Sequence, residues 1–281
     1  MKYRLLPLLI VAIVFVIGAM PASAKNADLL LSPTRVVLEN GKRYATVIVK
    51  NTGDGVGRYV LEMVDSDMQG NGGIKILDPG VKAANSALDI VSIAPHTMTL
   101  KPDEYQMVRI LVKSMSDLPD GEYRSHLSVR ITEADLDLDN NKPNVPNSTS
   151  VVPKAKLATI IPVIVRKGDT NYTVTIDDAK LVMGGADGQS QPQILMNMSF
   201  SGNRSLLGDV KVTHVAPNGI ETQLAFFRGI GIYREVSKRV QTVPLDNIPL
   251  GLNIHNGTLH VALMSQENEG SKVLAEKVIT P

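Results

Sequence analysis

The sequence predicts an all-β protein built from two immunoglobulin-like β-sandwich domains. Three observations lead there. Short runs rich in Val, Ile, Leu and Thr recur along the chain with turn residues between them, and no segment keeps a helical apolar period over a useful length. The 281 residues are enough for two domains of ordinary size. There is no Cys and no Trp, aromatics are 4%, and the hydrophobic share of 43% is largely aliphatic. Such a chain must be held by sandwich-type aliphatic packing, without disulfides and without a large aromatic pocket.

Residues 1–24 read as a signal peptide. Lys2 and Arg4 precede the apolar run Leu5–Ile17, and Ala22-Ser23-Ala24 fits a small-x-small cleavage site. The run is shorter than the roughly 20 residues that span a bilayer. Without Lys2 and Arg4 the chain carries 27 basic and 28 acidic residues. That balance gives no reason to expect a nucleic-acid partner.

Residues 25–166 are expected to form the first domain. Val36-Val37-Leu38 and Tyr44–Val49 read as two strands joined by the turn Asn40-Gly41, whose residues tolerate positive φ. Arg58–Val64 alternates Tyr59, Leu61 and Met63 with other neighbours, and Gly70–Gly73 reads as a loop tip. Asp89–Ile93 and Thr97–Leu100 flank Pro95, and Tyr105–Val112 and Tyr123–Ile131 continue the series. Glu133–Pro153 is polar. Its Asp135, Asp137 and Asp139 lack the glycine and closing glutamate of a calcium loop, so it is read as a solvated loop with no metal.

Leu157–Arg166 has the composition of a buried strand but carries Pro162, which argues for an edge. Residues 167–172 read as a hinge, and 173–281 as the second sandwich. Its strands are expected at Tyr172–Ile176, Gln193–Phe200, Gly208–His214, Glu221–Phe227, Ile230–Tyr233, Arg239–Val243, Gly257–Met264 and Val273–Ile279, with a turn at Gly184-Gly185 and Asp187-Gly188.

Enzyme signatures are absent from the sequence. The five histidines fall in no metal-ligand spacing, there is no G-x-S-x-G elbow and no cysteine nucleophile, and Gly229-x-Gly231 is too short for a phosphate loop. No catalytic residue and no cofactor is expected. Arg35 stands out, as a fixed positive charge just after Pro33 at the start of a strand. An arginine there is most often simply exposed. Its planar fork, charged at any relevant pH, also suits a carboxylate.

Several stretches resemble the PapD-like periplasmic chaperones of pilus assembly. They are Ser32-Pro33-Thr34-Arg35 with Asn51-Thr52-Gly53, Ile93-Ala94-Pro95 through Leu100-Lys101-Pro102 to Val108-Arg109-Ile110, Leu118–Ser125, and Ile160–Arg166. The likeness covers the first domain well and the second loosely. It implies an L-shaped pair of sandwiches, a periplasmic location and secreted pilus-type subunits as partners. It leaves open whether an outer-membrane usher takes part.

The resemblance also implies roles for residues. The arginine matching Arg35 binds a subunit's C-terminal carboxylate in the interdomain cleft. A lysine that assists it in the family falls at Pro162 here, so one cation is missing and the chain is a divergent member. The strand carrying Val151, Val152, Leu157, Ile160 and Ile161 would be lent to a subunit that lacks its last strand, although an ordinary core role is the better reading for at least half of these residues. Glu122 and Arg166 would form an interdomain bridge, which as an exposed pair would contribute only about 0–1 kcal/mol. The expected function is therefore a chaperone of exported subunits that needs no nucleotide. The alternative is a structural or adhesive component of a cell-surface fibre.

Overall fold

A computed structural model describes residues 27–113, 115–134, 158–184, 191–266 and 272–281. The signal segment, the polar loop from Asp135 onward, Leu157 and the Gly185–Gly188 part of the expected turn lie outside the described residues.

The first half forms two facing sheets. One has the order β1 (Leu30–Ser32), β3 (Tyr44–Lys50), β9 (Tyr105–Val112), β7 (Val91–Ala94). The other has the order β2 (Val36–Leu38), β11 (Ala158–Lys167), β10 (Gly121–Ala134), β4 (Gly57–Val64), β8 (Thr97–Leu100). Alternation sets which side chains face inward. On β9, Val108, Ile110 and Val112 are buried while Met107, Arg109 and Leu111 are exposed. The inward set meets Val47, Val49, Tyr59, Leu61, Leu127, Val129, Ile161 and Val163 in one core.

The Asn40-Gly41 turn forms as its chemistry demands, with φ of 54° and 81° and a bond from Lys42 N–H to the Glu39 carbonyl at 3.0 Å. It does not join a hairpin. β3 pairs with β1 and β9, whereas β2 crosses to the other sheet and pairs in parallel with β11, Val36 opposite Val163 and Leu38 opposite Val165.

Asn51, one of the residues carrying the family likeness, has a structural use. It is fully buried. Its Nδ2 donates to the Gly55 and Leu100 carbonyls at 2.7 and 3.1 Å, and its Oδ1 accepts from Gly53 N–H at 3.0 Å. Truncation would take the donor from two buried carbonyls, Gly55 and Leu100, and the acceptor from the Gly53 and Asp28 N–H groups. Asn51→Ala is expected to lower stability by about 2–3 kcal/mol. The check is a lower urea midpoint with an unchanged slope.

The second half is also a pair of sheets. One runs β12 (Tyr172–Gly184), β13 (Gln191–Gly202), β16 (Lys238–Pro244); the other runs β15 (Glu221–Ile232), β14 (Leu206–Val215), β17 (Thr258–Ser265), β18 (Val273–Ile279). The two runs expected at Glu221–Phe227 and Ile230–Tyr233 are one strand, β15. A register shift opposite Gly208–Val210 carries the chain through Gly229, which has φ +78°.

Between the halves, β11 ends at Lys167 and β12 begins at Tyr172. The second core does not stop at that boundary. Ile164 of β11 is fully buried within it, alongside Met68, and Val37 and Ile74 pack against it. Met68 and Ile74 belong to a separate hairpin, β5 (Ser66–Met68) with β6 (Ile74–Ile76). The Gly70–Gly73 stretch at its end is not a free loop tip. It is docked on β16, whose Val240 N–H donates to the Gly70 carbonyl at 2.8 Å.

Candidate functional site

A cleft of about 470 Å³ lies between the two halves. Thr34, Arg35, Ile74 and Pro162 border it from the first sandwich, and Arg228 and Arg239 from the second. Arg35 is placed there because β1 and β2 run in different sheets, so the segment joining them spans the sandwich edge that faces the second half. The side chain is half-buried, its Nη2 donates to Ser205 Oγ at 3.2 Å, and its guanidinium carbon lies 5.9 Å from the Tyr233 ring centre.

Ser205 ties Arg35 to the other two residues singled out from the sequence. Its hydroxyl and its N–H both donate to Glu122 Oε2, at 2.8 and 3.1 Å. The same oxygen accepts from Arg166 Nε at 3.0 Å. Arg166 also reaches Glu39 at 2.9 Å and the Ser205 carbonyl at 3.3 Å. The Glu122–Arg166 pair is not the exposed bridge expected above. The two side chains are 0% and 3% exposed. Their backbones join the seam as well, since Glu122 N–H donates to the Asn203 carbonyl at 2.9 Å and Arg234 donates to the Glu122 carbonyl at 2.8 Å.

A second buried group stands beside the first. Arg124 of β10 donates to Glu235 at 2.7 Å and to the Ser66 carbonyl at 2.8 Å. Its guanidinium lies 3.7 Å from the Tyr233 ring centre, a stacking contact. Glu235 also accepts from Met68 N–H at 3.0 Å. His126, opposite Pro162 in the β10–β11 register, presents its ring edge-on to Tyr233 at 6.3 Å and shares a 3.0 Å hydrogen bond with Ser66 Oγ. Burial, then Arg124, and more weakly Arg35, push His126 down to about 4, against the pull of Asp65. Burial raises the Tyr233 hydroxyl, and both arginines oppose that rise.

The strand expected to be lent to a partner divides by parity. Ile161 belongs to the first core at 3% exposure, with Val163 and Val165. Its side chain is therefore unavailable to a ligand, which corrects its assignment as a binding residue. Ile160 and Pro162 are half-buried on the opposite face, the one that carries Ile164 into the second core. Leu157 lies outside the described residues. Among the described residues, β11 has β10 on one side along its length and β2 on the other only at Val163–Val165. Its outer edge from Ala158 to Pro162 has no neighbouring strand among the described residues, and the missing N–H of Pro162 is tolerated at such a place.

Ser205, Arg124, Tyr233, Glu235, Arg228 and Arg239 were not singled out from the sequence. No local pattern marks them: Ser205, Arg124, Tyr233, Glu235 and Arg239 gain their roles from contacts across the seam, and Arg228 from bordering the cleft.

No family model matches the chain, and no curated protein matches it. Among solved structures the chain is similar to the E. coli chaperone DraB, at 14% identity and a TM-score of 0.43 over 89% of this chain and 96% of that one. It is similar to a chain of the Salmonella enterica SafA pilin–SafB chaperone complex, at 12% identity and a TM-score of 0.42 over 92% and 99%. It is also similar to a chain of the CsuC–CsuE chaperone–tip adhesion subunit complex of Acinetobacter baumannii, at 11% identity and a TM-score of 0.42 over 90% and 97%. Likeness at this level has no bearing on function, which is argued below from the chain's own residues.

Proposed function

We propose that the chain is a periplasmic chaperone that holds exported subunits of pilus type until they are assembled. One observation carries the reading: the outer edge of β11 at Ala158–Pro162, which has no partner strand among the described residues, runs to the cleft where Arg35 stands. An unpaired edge is a template for an incoming strand, which gains main-chain hydrogen bonds there. A subunit lacking its final strand needs that pairing. Ile160, half-buried on the outer face, is the described apolar side chain that such a strand would meet. Arg35 would hold the subunit's terminal carboxylate by charge-assisted hydrogen bonds and so set the register of pairing. The order of the sequence likeness to the PapD-like chaperones supports the same roles. Glu122 and Arg166 fix the angle between the sandwiches, and the exchange needs no nucleotide.

The test is a native pull-down of the mature protein from periplasm, with mass spectrometry, beside Arg35→Ala. A small secreted partner held by the wild type is expected to fall at least about tenfold in the variant. A partner held equally by both would remove Arg35 from the site. Absence of any partner would favour the structural or adhesive alternative.

A further inference from the structure

Arg239, on β16, is 7% exposed and borders the cleft. Its guanidinium has neutral partners. It donates to Gln241 Oε1 at 2.7 Å and to Met68 Sδ at 3.6 Å, and Nε has no partner. Gly72 makes room for it. That residue has φ +85°, a conformation that side chains rarely adopt, and a Cβ there would run into the Arg239 guanidinium. Glycine therefore lets the hairpin close over the guanidinium without backbone strain. A cation withdrawn from water without a counter-charge is costly, and burial pushes Arg239 below its ordinary value.

Two further guanidiniums border the same cavity, those of Arg35 and Arg228, and no carboxylate does so among the described residues. Arg228 lies 5.3 Å from the Phe226 ring centre, on exposed β15 surface. The interface carboxylates are engaged elsewhere, Glu122 by Arg166 and Glu235 by Arg124. Pro162, where the family likeness would place a second cation, borders this cavity too.

We infer that the cleft is an anion seat completed from the second sandwich, in which Arg239 and Arg228 join Arg35 around a chain-terminal carboxylate. The inference rests on the chaperone reading and adds the residues that supply the missing charge. Arg239 gives the seat its buried, weakly hydrated wall, where a charge-assisted hydrogen bond is strongest. Arg228 gives it a rim that attracts the anion.

The experiment is isothermal titration of the mature protein with inorganic sulfate at constant ionic strength. It is then repeated with a strand-length apolar peptide prepared both as the free acid and as the C-terminal amide. One saturable sulfate site is expected, weakened at least about tenfold by Arg239→Gln and about threefold to tenfold by Arg228→Gln. Unchanged sulfate affinity in folded Arg228→Gln and Arg239→Gln overturns the seat. Arg228 is exposed, so its variant decides the matter alone if Arg239→Gln does not fold. The acid is expected to bind about tenfold more tightly than the amide. Equal binding of the two peptides overturns the chain-terminal assignment and leaves a free anion as the ligand. The pull-down keeps the two readings apart: a partner captured by wild type and by both variants alike sinks the seat while the chaperone stands.

Discussion

Glu122→Ala is expected to destabilise the protein by about 3–5 kcal/mol, the cost of removing one partner of a buried ion pair. The Glu122 carboxylate takes Arg166 Nε and both Ser205 donors on a single oxygen. Its removal leaves a guanidinium at 3% exposure with Glu39 as its carboxylate partner and frees the Ser205 N–H in a dry seam. Arg166→Met is expected to cost a similar amount from the other side, because the carboxylate would then keep only the Ser205 donors. The double variant should cost clearly less than the sum, since both single changes remove the same contact. The measurement is urea unfolding followed by two probes, one in each sandwich. Wild type should unfold in one transition, because Ile164 and Met68 carry the second core across the boundary. The Glu122 variant should separate into two. A shift below about 1 kcal/mol would mean that water reaches the pair, as at an exposed bridge.

Acid should weaken the protein well above the range in which carboxylates titrate, through His126. Its folded value of about 4 lies below its ordinary 6.5, mainly because it is buried. Above pH 6.5 the imidazole is neutral in both states and costs nothing. As pH falls below 6.5 the unfolded chain takes up a proton that the folded chain refuses, and stability declines until the folded ring protonates near pH 4. The loss over that window is about 3 kcal/mol. Urea midpoints at pH 7.5 and 4.5, for wild type and His126→Gln, isolate the histidine from the other groups that titrate. The variant should lose most of this dependence. Equal acid sensitivity in the two proteins would show that His126 reaches solvent or gains a partner on protonation. Because the ring lies edge-on to Tyr233 at the seam, its protonation should act first on the contact between the sandwiches.

Strand existence was readable from composition and alternation, whereas Glu122 and Arg166 were singled out only by the family resemblance, and Arg35 by its place after Pro33 together with that resemblance. What these residues touch was not readable. The Asn40-Gly41 turn was correct in its backbone and wrong in its consequence, because turn chemistry fixes local dihedrals and is silent on which sheet the next strand enters. Ile161 was misassigned for a related reason. Along Ile160–Val165 the chain is apolar at every position, since odd residues fill the first core and Ile164 fills the second. A strand buried on both faces has no period to reveal which side chains face outward. The β5–β6 hairpin was missed as strands because Ser66-Asp67-Met68 has no apolar run. Arg124 and Glu235 are 111 residues apart, and only the folded seam brings them together.

A chain that crosses between two bodies at one point leaves them free to swivel about that crossing. Here the crossing near residues 168–171 is not the only tie. The hairpin reaches over from the first sandwich and is bonded to β16 through Gly70, away from the hinge. An attachment set apart from the hinge and from the Glu122 seam turns a swivel into a bracket. The cleft between the sandwiches is then standing open before anything enters, and no closing motion is needed to form it. A subunit of the proposed kind would meet walls held before it arrives, so the ordering cost of association would fall on the guest and not on the host.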